Sequence, residues 1–206
     1  LKSEIRNPKS EFGSGFTLIE LLIVVAIIAI LAAIAIPNFL AAQTRSKVSR
    51  AKGEMRTIAT ALESYCVDYN QYPPSDNNYK VTPTTLTTPI SYLRSHRIPD
   101  PFALEVMDQY GSAGGEELYY TYWNNDWNVA VEGGATSVYW GGIRKQHGKW
   151  SQNSIGPDRN YYNSPVTGGT DNLVQYDPTN GTISYGNIWR TQLHTDGYQY
   201  NSSILP

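Results

Sequence analysis

A chain of 206 residues with 16 Lys and Arg against 18 Asp and Glu carries a formal net charge of −2. It presents no broad basic surface, which argues against a nucleic-acid partner. Cys66 is the lone cysteine, so no intrachain disulfide is available and an oxidising compartment is neither required nor excluded. The length suits one globular domain plus an extended segment. Composition divides the same way, with residues 16–42 almost purely apolar and the remainder rich in Tyr, Trp, Asn, Gly and Thr.

The first residues form a short polar leader with Lys2, Arg6 and Lys9, ending in Gly15. The run from Phe16 to Ile36 follows, and as a helix it is long enough to cross roughly 30 Å of hydrocarbon. A secretory signal peptide would place small residues after a shorter apolar core; here the small residue precedes it. One acid, Glu20, interrupts the run. A charge at the bilayer centre costs roughly 2.5–3.5 kcal/mol on insertion scales, so a plain anchor leaves Glu20 unexplained. Glu20 lies one helical turn beyond Phe16. A cut before Phe16 would create an α-amino group that Glu20 can neutralise, on its own helix or on a neighbour. A buried polar group that fixes register is the best-attested use of so costly a residue. Pro37 closes the run, and its missing N–H lets the preceding turn kink or melt when helices pack.

The string Gly15-Phe16-Thr17-Leu18-Ile19-Glu20-Leu21-Leu22, with Pro37 after it, resembles the type IV pilin superfamily, which includes the pseudopilins of type II secretion. The resemblance implies a membrane-embedded prepilin peptidase that cuts between Gly15 and Phe16 and methylates the new amino terminus. It implies a prepilin in the inner membrane, then a homo-oligomeric helical filament in the periplasm or on the cell surface. An assembly ATPase and a platform protein are the partners it implies.

Beyond Pro37 the apolar residues Val48, Ala51, Met55, Ile58, Ala59, Leu62, Tyr65, Cys66 and Tyr69 recur at helical spacing. Arg45, Lys47, Arg50, Lys52, Glu54, Arg56 and Glu63 fall mostly on the other faces. One amphipathic helix is expected, continuous with the apolar run and ended by Tyr72-Pro73-Pro74. Its stripe needs a sheet to cover it. The basic residues between Arg45 and Lys52 read as a solvated face, with lipid headgroups or acids of neighbouring subunits as the alternative. Residues 73–117 read as a loop-rich stretch with a short helix near Ile90–Ser95. Strands are expected at Leu118–Trp123, Trp127–Val131, Ser137–Ile143 and Lys149–Ser154, and a hairpin at Leu173–Tyr185 turning on Asn180-Gly181. From about Thr191 the chain reads as irregular coil. The aromatics Tyr119, Tyr120, Tyr122, Trp123, Trp127, Tyr139 and Trp140 are read as core and cross-strand pairs rather than a sugar-binding strip.

Tyr72-Pro73, Pro99-Asp100-Pro101-Phe102 and the stretch Trp150 to Asp158 resemble landmarks of the major pseudopilin of type II secretion. That resemblance implies a candidate calcium loop, with Ser154, Asp158 and Asp177 as its oxygen donors. Calcium needs six to eight oxygens, more than these residues supply unaided. His96, His147 and His194 share no metal-ligand spacing, and no phosphate loop or nucleophile elbow is present. An enzyme is not expected.

The expected fold is α+β and pilin-like, a long N-terminal helix packed on a small antiparallel β-sheet head. The expected divisions are a leader at 1–15, the helix at 16–70 and the head at 71–206. Within the helix, 16–36 is the membrane and filament-core part and 37–70 the amphipathic half. The expected function is that of a pilus or pseudopilus subunit. The alternative is a monomeric surface-binding protein held by a pilin-type anchor.

Overall fold

A computed structural model describes residues 15–75, 82–102, 119–131, 135–159, 176–177 and 186–194. The chain divides between residues 40 and 41 into two units. Helix α1, Leu18–Tyr69, contributes to both. It runs through Pro37 without interruption and ends where Asn70 takes a left-handed conformation at φ 55°. Asn tolerates that conformation better than most residues, and a residue there commonly terminates a helix.

In the second unit the expected stripe of α1 is the centre of the core. Val48, Ala51, Met55, Ile58, Ala59, Leu62 and Tyr65 are buried, joined by Ala61. Cys66 packs half-buried against them. Tyr69 is more exposed than its place in the stripe suggests, and stacks on Tyr65 with ring centroids 4.4 Å apart.

Three short strands form one antiparallel sheet in the order β1-β2-β3, with β1 at Thr121–Asn124, β2 at Trp150–Ser154 and β3 at Ile188–Thr191. Trp123 lies opposite Ser151, and Asn153 opposite Trp189. Side chains alternate between the two faces of a strand. Trp150 and Gln152 therefore meet α1, through Trp150 Nε1 to Glu63 Oε1 (3.0 Å) and Gln152 Nε2 to the Met55 carbonyl (2.6 Å). From β1 and its approach, Tyr120 donates to Glu54 Oε2 at 2.6 Å, and Tyr122 to the Pro73 carbonyl at 2.9 Å. Two acids of α1 thus anchor the sheet from the edge of the apolar stripe. The basic stretch is also engaged: Arg50 pairs with Glu54 at 2.9 Å, and the Lys47 ammonium lies 6.0 Å over the Phe102 ring.

Two expected strands are helices. Helix α2 covers Asn125–Val131 and α3 covers Ala135–His147. Asn124 starts α2, its Oδ1 accepting the Trp127 N–H at 3.0 Å as an N-cap does for the third residue. Arg144 and Lys145 occupy the last turn of α3, and Gly148 follows at φ 83°. Cations at that end complement the helix dipole, and glycine closes the helix at no steric cost. Aromatic content suggested strands; the caps decide for helices.

These helices cover the sheet face turned away from α1. Ser151 bonds Asn125 Oδ1 at 3.2 Å, and Trp189 stacks on Trp123 and lies 5.4 Å from the His147 ring. With both faces covered, almost every strand position is buried, so the polar alternation of a one-sided sheet is missing.

The strand expected from Leu118 begins at Thr121, preceded by a bridge between Pro99 and Tyr119. The helix expected near Ile90–Ser95 is absent. A 3-10 turn at Thr84–Leu86 stands before it, and the Leu86 carbonyl accepts both Tyr92 N and Leu93 N at 2.9 Å. Strand β3 reaches Thr191, where coil was expected to start. The Leu173–Tyr185 hairpin lies outside the described residues, apart from Tyr176 and Asp177, which are in neither helix nor strand.

His147 is buried and its pKa is pushed down to about 4, first by burial and then by the nearby His194. The unfolded chain therefore binds more protons than the folded one between about pH 4 and its unfolded value of 6.5. Stability is expected to fall as pH drops through that window, by up to about 3 kcal/mol. Denaturant melts of the protein and of His147→Leu at pH 4 and pH 7 check this, with the variant showing the shallower pH slope.

Candidate assembly and processing site

The N-terminal unit presents its apolar side chains outward. Phe16 is 73% exposed and Leu18 75%, and large apolar residues stay exposed from there to Leu40. Helix α1 is long and apolar enough to cross a membrane, and no part of its most apolar stretch is buried within the protein. Gly15 is exposed with nothing within 4 Å of where a Cβ would stand. The Gly15–Phe16 bond lies just before the first turn of α1.

Glu20 has a partner within its own chain. Its Oε2 accepts the Thr17 backbone N–H at 2.9 Å and the Thr17 hydroxyl at 2.7 Å, and Thr17 Oγ1 accepts the Glu20 N–H at 3.3 Å. This is a capping box, a Thr at the N-cap and a Glu three residues on, each satisfying the other's unpaired amide. The Thr-x-x-Glu spacing announces it in the sequence, but attention to the charge of Glu20 passes over it. Glu20 therefore starts the helix as well as carrying a charge. Pro37 interrupts neither the helix nor its apolar surface; its missing N–H removes one backbone hydrogen bond from the ladder.

The candidate calcium residues lie in the second unit. The Ser154 hydroxyl bonds Asp100, and Ser154 Oγ accepts the Gly156 N–H at 3.4 Å. Asp158 Oδ2 accepts the Gly186 N–H at 2.8 Å. Asp177 follows Tyr176, whose N–H donates to the Asn187 carbonyl at 2.9 Å. Asp100, read from the sequence only as a landmark, is the centre of this region. It is fully buried and accepts the amides of Phe102 and Ile155, each at 2.9 Å. Burial pushes its pKa up, against those hydrogen bonds. No group of three or more His, Cys, Asp and Glu that could hold a metal occurs among the described residues. Among the described residues the Asp100 and Asp158 carboxylates accept backbone amides, and these donors are fewer than the six to eight oxygens calcium requires. A calcium titration of the melting temperature tests the candidate loop: a rise that chelation reverses is expected of a bound ion, and no shift removes the candidate.

The prokaryotic N-terminal methylation motif matches residues 14–36. The type IV major pilin protein PilA of Myxococcus xanthus is 49% identical over 77 residues, 37% of this chain and 34% of that protein. Type II secretion system core protein G of Pseudomonas aeruginosa is 47% identical over 60 residues, 29% of this chain and 42% of that protein. A fimbrial protein of Pseudomonas aeruginosa is 34% identical over 137 residues, 66% of this chain and 82% of that protein. No solved structure matches.

A helix with this motif at its head, leading into a small antiparallel sheet, defines a pilin-like protein. The chain belongs to the type IV pilin superfamily. It spans about a third of the length of the first of these relatives and about two fifths of the second. These relatives are named as a major pilin, a secretion-system core protein and a fimbrial protein, not as enzymes.

Proposed function

We propose that this protein is the structural subunit of a type IV pilus or a type II secretion pseudopilus. The carrying observation is the N-terminal unit, an outward-facing apolar helix whose one acid lies in its first turn. Lipid is as apolar as a neighbouring helix, so burial alone does not choose between membrane and helical bundle. Close packing and polar pairing must make that choice. Prepilin peptidase cuts between Gly15 and Phe16 and the new amine is methylated. Glu20 then turns from capping its own helix to pairing with the Phe16 amine of the next subunit. Pro37 lets the helix adjust as the bundle packs. The subunit waits in the inner membrane before assembly, which an assembly ATPase and a platform protein drive into a periplasmic or surface filament. The methylation motif and the pilin and secretion relatives support this reading.

Electron microscopy of sheared cell-surface material, with mass spectrometry of the subunit's N-terminus, tests the proposal. Filaments of a subunit beginning at methyl-Phe16 are expected. A subunit that stays monomeric in the membrane would favour the anchored binding protein instead.

A further inference from the structure

An open pocket of about 410 Å³ lies in the second unit, where the end of α1, the β1–α2 junction and the residue before β2 meet. Its volume falls within the usual range for small-ligand sites. The polar floor is locked in place. Asn124 Nδ2 donates to the Tyr72 and Pro73 carbonyls at 3.3 and 2.9 Å, and its Oδ1 holds the Trp127 amide. Tyr72 donates its hydroxyl to Glu63 at 2.8 Å and accepts Gln192 Nε2 at 3.0 Å. Gln192 in turn accepts the Lys149 N–H at 2.6 Å.

Trp127, Asn70, Gln71 and Lys149 also line the pocket, with side chains that have no hydrogen-bond or ion-pair partner among the described residues. Trp127 is only half-buried, although full burial of a large apolar side chain stabilises by roughly 1.5–3 kcal/mol. The exposed Asn70 and Gln71 amides line the same space, and each offers both a donor and an acceptor. Lys149 is exposed and makes no ion pair among the described residues, and the Asp126 carboxylate in the same lining is already neutralised by Arg144. An indole, two exposed amides and an exposed cation, beside an acid that Arg144 neutralises, around a rigid polar floor are complementary to one kind of ligand. It has an apolar face of C–H groups, several hydroxyls and a negative charge. We propose that this pocket binds a pyranose unit carrying a carboxylate, a hexuronic acid, as part of a polysaccharide. The ring's C–H face would lie against Trp127, its hydroxyls would bond Asn70 and Gln71, and its carboxylate would pair with Lys149. The floor is already ordered by hydrogen bonds, so little entropy is lost there on binding.

This site goes beyond the filament role and is independent of it. The full chain, held in a detergent without a sugar headgroup, is titrated calorimetrically with trigalacturonate and with neutral cellotriose. Trigalacturonate is expected to bind roughly tenfold more tightly or better. Trp127→Ala is expected to weaken that binding about tenfold. Because Trp127 also belongs to α2, the exposed Lys149→Gln serves as the second variant. It should abolish the preference for the charged sugar while leaving the melting temperature unchanged. No binding of trigalacturonate, equal affinity for the two sugars, or a preference that survives Lys149→Gln overturns the proposal.

Discussion

Glu20→Gln is expected to insert into the membrane and be processed normally, yet to form no filaments. Glutamine at the third helical position still completes a capping box with Thr17, so this change removes the charge and keeps the helix start. Glu20→Leu or Ala removes both and should fail in the same way, while membrane insertion becomes easier because a charge is gone. Thr17→Ala is the complementary variant. It takes away the cap, at a cost of about 1 kcal/mol to the first turn, and leaves the carboxylate; filaments are expected to persist. Membrane fractionation, mass spectrometry of the N-terminus and electron microscopy read the three properties separately. Normal filaments from Glu20→Gln would refute pairing with the Phe16 amine and leave Glu20 only its capping role.

The second large effect is expected at Gly156. Its φ is +82°, and a Cβ built there would overlap the carbonyl oxygen of Gly186. Backbone therefore meets backbone, and no flexible side chain can swing aside. The same turn carries Ser154, bonded to Asp100, and Asp158, bonded to the Gly186 amide. Gly156→Ala should cost more than about 2 kcal/mol, combining left-handed strain with displacement of residue 186. For a domain of this size the melting temperature is expected to fall by at least ~4–8 °C. Thermal melts check it, and an unchanged melting temperature would mean that the two segments separate at little cost.

Different parts of the chain were legible to different degrees, for identifiable reasons. The stripe from Val48 to Tyr65 repeats over five turns, and so long a periodicity leaves little room for error. Trp127–Val131 and Ser137–Ile143 are short and aromatic, and their composition suits a strand. Their true state is declared at the ends, by the Asn124 cap before α2 and by the cations and Gly148 after α3. Glu54 and Glu63 looked like solvent-facing charges on a helix. They bond Tyr120, Tyr72 and Trp150, residues up to 87 positions away, which no local window can show.

Glu20 shows the same division at closer range. Its position after Gly15 and Phe16 marks the processing motif, and the Thr-x-x-Glu spacing that lets it cap its helix is equally written in the chain. The long helix, its apolar first part and the covered stripe of its second part were likewise set by sequence periodicity. Burial beneath α2 and α3, the clamp around Asp100 and Gly156, and the pocket beside Trp127 came only with the tertiary structure. Periodicity and spacing record what a residue meets a few positions along its own element. These other features join segments far apart in the chain, and only packing brings their side chains together.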